Sequence, residues 1–272
     1  MKVAHTIGTY RDARKVLPSP VGFVPTMGYL HAGHLALAQR AREENASVVL
    51  SIFVNPAQFN QAKDLARYPR DLHRDLRMLG EEAVDLVFAP GVDEIYPPDY
   101  ATQVHVAGLT DVLEGLHRPG HFDGVATVVA KLLNIVQPDR AYFGQKDAQQ
   151  LIVVRRMVTD LHFPVEIMAV PTMRDEDGLA LSSRNAFLPA EAREQALALS
   201  RALAAARAAW ETGERDADAL RDAANTVYES TAGIRVDYLS LAHQETLEEL
   251  QGPVERAIMS TAAWVGDVRL ID

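Results

Sequence analysis

The sequence predicts an α/β fold, in which a parallel sheet covered by helices is followed by a smaller α+β unit. The first observation is a pair of near-continuous apolar runs, over 21–24 and 47–54, separated by a helical pattern over 34–45. Such runs are typical of strands buried on both faces, and strand, helix and strand form a βαβ unit with parallel pairing. The second observation is a shift beyond Pro189 to alanine-rich and then alternating segments. We therefore expect two domains with their boundary near the polar stretch 174–185, and we assign 1–172 to the first and 173–272 to the second.

Further segments extend the N-terminal sheet and its helices. Apolar residues at helical spacing, such as Leu72, Leu76 and Leu79, predict a long helix. Short apolar runs bounded by turn residues predict the intervening strands. The predicted helices span 10–17, 64–80, 125–137 and a stretch beginning after residue 147, and the predicted strands span 84–90, 139–143 and 165–170.

The C-terminal domain is predicted to combine two helices with a small sheet. The segments 190–210 and 216–231 are alanine-rich with charged faces, which favours helices. The segments 236–241, 254–260 and 263–270 alternate between apolar and polar residues, which is typical of strands.

Composition excludes several functional classes. The 272 residues carry a net charge of −10, which argues against a general nucleic-acid binder but permits a local basic pocket. The chain has no cysteine, which excludes disulfide and thiolate chemistry. Charges are spread through the first 17 residues, and no segment has about 18 consecutive apolar residues. We expect a cytoplasmic protein without a membrane or nucleic-acid partner.

A strand, a tight loop and a helix follow one another within residues 22–42, GFVPTMGYLHAGHLALAQRAR. The first backbone N–H groups of a helix lack intrahelical partners and carry partial positive charge, so this turn is expected to attract a phosphate. His31 and His34 flank Gly33 at the turn and can donate hydrogen bonds to such a group. Two surface histidines or a metal site are the alternatives. Zinc would need a third ligand, and no cysteine is present to supply it.

Polar side chains also follow two later strands of the predicted sheet. Asn55 and Gln58 follow the second apolar run, where their amides suit a hydroxylated or carboxylate ligand. A simple Asn-Pro turn is the alternative. Lys146 stands between a strand and a helix, where a nucleotide phosphate would lie, and Asp147 can cap that helix.

Two further groups can bind a triphosphate and its metal ion. Within 174–185, the hydroxyls of Ser182 and Ser183 lie beside Arg184, although the segment can equally be a solvated linker. Asp71 and Asp75 are four residues apart on a predicted helix, which is compatible with a magnesium site or with two exposed carboxylates.

Five separated strings resemble the pantothenate synthetase family. They are PTMGYLHAGH at 25–34, SIFVNPAQF at 51–59, RPGHFDGVATVVAKL at 118–132 with YFGQKDAQQL at 142–151, and DGLALSSRN at 177–185. The H-x-G-H of this family is its version of the HIGH motif of nucleotidyltransferases. The resemblance implies a Rossmann-like ATP- and pantoate-binding domain over 1–172, and a C-terminal domain that carries the 181–184 loop.

The resemblance also implies a reaction and its partners. ATP and pantoate give pantoyl adenylate and pyrophosphate, and β-alanine then gives pantothenate and AMP. A magnesium ion and a homodimer are implied as well. The family's catalytic groups correspond to His31, His34, Lys146, Ser182, Ser183 and Arg184.

Substrate contacts carry over by the same match. Gln58 and Gln150 correspond to pantoate-binding amides, and Gln58 is also expected near β-alanine. Asn55 is a further expected pantoate contact, Tyr68 and Asp75 fall on other pocket positions, and Asp75 is the expected magnesium ligand. The expected ATP contacts are Pro25, Thr26, Met27, Gly28, Tyr29, Leu30, His31, Ala32, Gly33, His34, Gly144, Gln145, Lys146, Asp147, Met173, Leu181, Ser182, Ser183 and Arg184.

Two residues depart from the family pattern. Gln145 stands where the family often has Glu, and Leu181 stands where it often has Met. Two other functions remain under consideration: a cytidylyl- or adenylyltransferase of the same superfamily, and a non-catalytic nucleotide-binding module. The first would not need the amides of Gln58 and Gln150, and the second would not need phosphate-binding groups from three separate strand ends.

Overall fold

A computed structural model describes residues 1–81 and 84–272 of the chain. The chain forms two compact units. The first comprises residues 1–145 and 149–171, and the second comprises residues 146–148 and 172–272. Each unit has its own sheet and its own buried core.

The first unit is built on a parallel sheet, as the sequence predicts, and the sheet has six strands. In chain order its strands are β1 (Lys2–Ala4), β2 (Val21–Thr26), β3 (Ser47–Ile52), β4 (Leu86–Phe88), β5 (Arg140–Gly144) and β6 (Glu166–Val170). Their order across the sheet is β1-β4-β3-β2-β5-β6. The strand order therefore reverses between β2 and β5. In open α/β sheets, ligands bind beyond the carboxyl ends of the strands at such a switch point.

Eight helices connect or cover these strands within the described residues. They are α1 (Ile7–Arg14), α2 (Ala32–Glu44), α3 (Ala62–Arg67), α4 (Leu72–Glu81), α5 (Val92–Ile95), α6 (Glu114–His117), α7 (His121–Val136) and α8 (Ala148–Asp160). The longest of them, α7, is largely buried, in keeping with its apolar sequence.

The β2–α2–β3 unit forms the centre of this architecture. Six consecutive residue pairs join β2 and β3, from Val21↔Ser47 to Thr26↔Ile52. Leu37, Ala38 and Ala41 of α2 are buried against the sheet. The carboxyl ends of β2 and β3 therefore lie side by side, which places the residues that follow each strand at the same edge.

The second unit packs two helices on a three-stranded antiparallel sheet. Its elements are α9 (Ala190–Glu211), α10 (Ala217–Glu229), β7 (Ile234–Ala242), β8 (Ile258–Val265) and β9 (Val268–Ile271). Ala198, Ala202 and Ala206 of α9 are buried with Ala224 of α10. Small side chains let the two helices approach closely, which explains the alanine-rich composition.

Several predicted boundaries are wrong for identifiable physical reasons. The single helix predicted over 64–80 is two helices, α3 and α4, because Pro69 disfavours a helical conformation at Tyr68, which is extended with ψ 122°. The strands predicted over 254–260 and 263–270 are instead β8 and β9, which meet at a turn containing Gly266 with φ +56°. The three-residue strand β1 and the short helices α5 and α6 are not among the predicted elements. Among the described residues, no helix combines the length and the apolar character that a membrane crossing requires.

Candidate active site

Buried polar groups form hydrogen bonds within the loop between β2 and α2. The Thr26 hydroxyl donates to the Ser51 carbonyl at 2.7 Å and accepts from the Gly28 N–H at 3.2 Å. Gly28 has φ +80°, and a Cβ atom there would lie 3.0 Å from the Asp75 carboxylate. Glycine is therefore needed at this position both for its backbone conformation and for space.

Asp75 holds the same loop from helix α4. Its carboxylate accepts hydrogen bonds from the backbone N–H groups of Tyr29 at 2.7 Å and Leu30 at 2.8 Å. The side chain is only 1% exposed and forms an ion pair with Arg74 at 3.2 Å. Arg74 in turn donates to the Leu30 carbonyl at 2.9 Å. Both carboxylate oxygens thus serve the loop, whereas the sequence analysis assigned Asp75 to a metal ion.

His31 and His34 form a reciprocal cap at the start of α2. The Nδ1 atom of His31 accepts from the Gly33 N–H at 3.2 Å, and the Nδ1 atom of His34 accepts from the His31 N–H at 3.3 Å. A backbone N–H can only donate, so each Nδ1 is unprotonated, and each neutral ring carries its proton on Nε2. The ring centroids are 4.1 Å apart. The cap therefore sets both imidazoles as Nε2–H donors beside the N-terminus of a helix.

Asn55 and Gln58 lie at the carboxyl end of β3, next to the end of β2. Asn55 caps a 3-10 turn over Pro56–Gln58 and is only 1% exposed. Its Nδ2 atom donates to Gln58 Oε1 at 3.0 Å. The Gln58 carbonyl accepts from His121 Nδ1 at 2.8 Å and from Arg118 at 3.4 Å. The histidines and these amides therefore belong to adjacent strand ends of one sheet.

The two glutamines that open α8 differ in their surroundings. Gln149 is buried, where it accepts from the Glu114 N–H at 3.0 Å and donates to the carbonyls of Leu109 at 2.8 Å and Val112 at 2.7 Å. Its amide is fully used in holding the preceding loop. Gln150 is partly exposed.

The second unit brings together two other predicted site residues. Lys146 and Ser182 line the same small cavity, which Asn185 and Asp272 also border. Ser182 caps the 3-10 turn Ser183–Phe187 by accepting from the Arg184 N–H at 3.3 Å, and the Arg184 side chain is exposed.

A backbone hydrogen bond and several ion pairs hold the segment that precedes this turn. The N–H of Leu181 donates to the Met173 carbonyl at 2.9 Å. Arg174 binds both oxygens of Asp272, at 2.5 and 2.8 Å. Arg193 joins the segment to α9 through Asp175 at 2.6 Å and Asp177 at 2.8 Å.

No dedicated metal cage is found among residues 1–81 and 84–272, since they contain no group of three or more His, Asp or Glu side chains suited to a metal ion. Mg²⁺ in nucleotide-dependent enzymes usually keeps several waters and binds through one or two carboxylates and the substrate phosphates.

Several residues that shape this site were not predicted from the sequence. One is Tyr96, whose hydroxyl donates to Asn55 at 2.8 Å across 41 positions of the chain. Arg118 and His121 are two others, although both lie within the string RPGHFDG. A Gly- and His-containing loop before a buried helix was the available signal for these two, whereas nothing in the sequence points to Tyr96.

Comparisons with known proteins identify the family of the chain. The family model described as pantoate-beta-alanine ligase matches residues 2–272. Pantothenate synthetase from Roseiflexus castenholzii is 53% identical over 272 residues, which cover 100% of this chain and 98% of the relative. Its counterpart from Thermus thermophilus is 56% identical over 269 residues, covering 98% and 97%.

Solved structures agree with the sequence comparison. The crystal structure of the Thermus thermophilus pantothenate synthetase superimposes with a TM-score of 0.93 at 54% identity, covering 100% of this chain and 98% of that one. Pantoate-beta-alanine ligase from Francisella tularensis, complexed with beta-gamma ATP and β-alanine, gives a TM-score of 0.80 at 35% identity and covers 100% and 96%. The chain therefore belongs to the pantoate–β-alanine ligase family, the pantothenate synthetases.

Proposed function

We propose that this ligase, which joins pantoate to β-alanine with ATP, works through a pantoyl adenylate bound at the carboxyl ends of β2 and β3. The observation that carries the proposal is the reciprocal cap of His31 and His34. It presents two Nε2–H donors beside the N-terminus of α2, where a phosphate is favoured.

The first step forms the mixed anhydride. A pantoate carboxylate oxygen attacks the α-phosphorus of ATP, and the bond from that phosphorus to pyrophosphate breaks. The carboxylate is already ionised near neutral pH, so the step needs no general base. It needs alignment and neutralisation of phosphate charge, which we assign to His31, His34 and the backbone N–H groups of α2.

Lys146, Ser182, Ser183 and Arg184 are proposed to hold the triphosphate. Lys146 and Ser182 border one cavity of the second unit. Arg184 is exposed and lies in the 3-10 turn that Ser182 caps. An ammonium, two hydroxyls and a guanidinium together neutralise and orient phosphate oxygens. A magnesium ion bound to those oxygens would supply further neutralisation.

Pantoate is proposed to bind Gln58 and Gln150, with Gln58 also near β-alanine. In the second step, the amine nitrogen of β-alanine attacks the acyl carbon. The bond between that carbon and the AMP oxygen breaks, AMP leaves and the amine loses a proton. The remaining predicted nucleotide contacts, from Pro25 to His34 and from Gly144 to Asp147, include the last residues of β2 and β5 and the residues that follow them.

Asp75 is proposed to position the β2–α2 loop rather than to bind magnesium. Its two oxygens already accept two backbone N–H groups and face Arg74. We further propose, from the family resemblance, that the protein is a cytoplasmic homodimer.

The test is an analysis of the nucleotide product. AMP release that requires pantoate, β-alanine and magnesium together supports the proposal. ADP as the product would rule it out. A product that retains the nucleotide would indicate another nucleotidyltransferase, and nucleotide binding without turnover would indicate a binding module.

A further inference from the structure

We propose that Tyr96 is a positioning residue for pantoate, which acts through Asn55 to fix which end of the Gln58 amide faces the substrate. The proposal rests on the role of Gln58 given above, and it assigns Asn55 to the support of Gln58 rather than to direct contact with pantoate.

The orientation of the Asn55 amide is set by two backbone groups of fixed polarity. Its Oδ1 atom lies 3.3 Å from the Ala57 N–H, which can only donate. Its Nδ2 atom lies 3.1 Å from the Gly124 carbonyl, which can only accept. A flipped amide would set donor against donor and acceptor against acceptor, so one orientation is selected.

The fixed Asn55 amide in turn determines the orientation of Gln58. The second hydrogen of Asn55 Nδ2 points to the Gln58 side chain at 3.0 Å, so the atom of Gln58 that meets it must be the acceptor Oε1. The Nε2 group of Gln58 then points away from Asn55 with its two donors. Within the described residues, no protein group accepts a hydrogen bond from it. This relay, the hydrogen bonds that connect Tyr96, Asn55 and Gln58, therefore selects a ligand that offers oxygen acceptors, as a carboxylate or a hydroxyl group does.

Tyr96 completes the polar shell of Asn55. Its hydroxyl lies 2.8 Å from Asn55 Oδ1, which carries no hydrogen, so the tyrosine must donate. Burial raises the pKa of Tyr96, which keeps the hydroxyl protonated. With this bond, Asn55 uses both donors and accepts two hydrogen bonds, and none of its amide hydrogens remains for a substrate.

The surrounding backbone leaves the relay little freedom. A Cβ atom on Gly124 would lie 2.4 Å from the Ala57 carbonyl oxygen and 2.8 Å from the Gln58 nitrogen, so α7 and the 3-10 turn are in direct backbone contact. Because the Gln58 carbonyl is also held by His121, the main chain of Gln58 is fixed. The hydrogen bond from Asn55 then orients the side-chain amide.

The test compares two removals of a tyrosine hydroxyl. Tyr96→Phe deletes the donor to Asn55 but retains the ring. Tyr100→Phe is the matched control: its ring lies 4.9 Å from that of Tyr96, both rings face Lys131, and its buried hydroxyl has no hydrogen-bond partner among the described residues. We expect Tyr96→Phe to raise KM for pantoate about 5- to 10-fold, the cost of one net hydrogen bond. KM for ATP is expected to be unchanged in both variants. KM for pantoate is expected to be unchanged in Tyr100→Phe.

A double-mutant cycle distinguishes positioning from a general structural effect. Gln58→Met retains the length of the side chain but removes the amide. If Tyr96 acts through Gln58, adding Tyr96→Phe to Gln58→Met will have no further effect on pantoate affinity, measured by AMP release or by calorimetry. An additive loss, an unchanged KM in Tyr96→Phe, or an equal rise in both KM values would overturn the proposal. Absence of pantoate-dependent AMP from the unmutated enzyme would instead refute the proposed function.

Discussion

Replacing Asp75 by Asn tests the role that the structure gives to this buried carboxylate. The change preserves shape but converts one oxygen into an NH₂ group, which would face the N–H of Tyr29 or of Leu30. It also removes the charge that pairs with Arg74. A hydrogen bond to a charged group contributes about 1.5–3 kcal/mol, and breaking a buried ion pair costs about 3–5 kcal/mol. Because Arg74 is partly exposed and one oxygen remains, we expect the variant to lose about 2–4 kcal/mol of unfolding free energy.

The loop that loses its support ends at His31, the residue that caps α2 together with His34, so KM for ATP should rise as well. Urea denaturation followed by circular dichroism, with EDTA present, measures the stability loss without any metal contribution. Asp71→Asn is the matched control, since Asp71 caps the Arg74 N–H at 2.9 Å and asparagine caps a helix equally well. An Asp75→Asn enzyme that is as stable as the unmodified protein in EDTA, but needs more magnesium for activity, would refute the positioning role and restore the metal assignment.

Three further predictions concern other parts of the site and the pH dependence of stability. His34→Ala should reduce pantoyl adenylate formation about 10²- to 10³-fold in a single-turnover assay, and an unchanged rate would remove His34 from the mechanism. Gly124→Ala places a Cβ 2.4 Å from the Ala57 carbonyl oxygen, so it should destabilise the protein by about 1–3 kcal/mol and raise KM for pantoate more than KM for ATP; equal effects on both would contradict this. The hydrogen bond from Arg40, followed by that from Tyr142, lowers the pKa of Glu44, and the hydrogen bond from Arg193 lowers the pKa of Asp177. The stability that these two ionised carboxylates add to the folded protein is therefore fully present above the ordinary carboxyl pKa of about 4. It is lost as pH falls through their lowered pKa values, and urea midpoints between pH 6 and pH 3 will measure the loss.

Local sequence patterns predicted the parts of the fold that depend on local physics. The βαβ unit was predictable because a buried parallel strand needs a continuous apolar run, and 47–54 has one. The His-x-x-His turn was predictable because a helix that follows such a strand leaves its N–H groups exposed at the sheet edge. The prediction of a single helix over 64–80 is wrong. The regular spacing of apolar residues indicates one helix, whereas Pro69 disfavours helical backbone at the residue before it.

The parts of the site that could not be predicted from the sequence depend on contacts between residues distant in the chain. Asp75 meets the loop of Tyr29 and Leu30 across 46 and 45 positions. Tyr96 meets Asn55 across 41 positions. Spacing along the chain gives no information on such pairs, and an acidic residue on a helix is most often exposed. The contacts of the buried Asp75 carboxylate with this loop are visible only in the three-dimensional structure.

The fate of the pantoate carboxylate oxygens tests the adenylate mechanism most directly. Pantoate labelled with ¹⁸O in its carboxylate is incubated with ATP, magnesium and β-alanine, and the products are analysed by mass spectrometry. Attack of a carboxylate oxygen on the α-phosphorus, followed by cleavage of the acyl carbon–oxygen bond, predicts one ¹⁸O atom in the phosphate of AMP. Unlabelled AMP, or ADP with labelled inorganic phosphate, would contradict the mechanism and the roles assigned to His31 and His34.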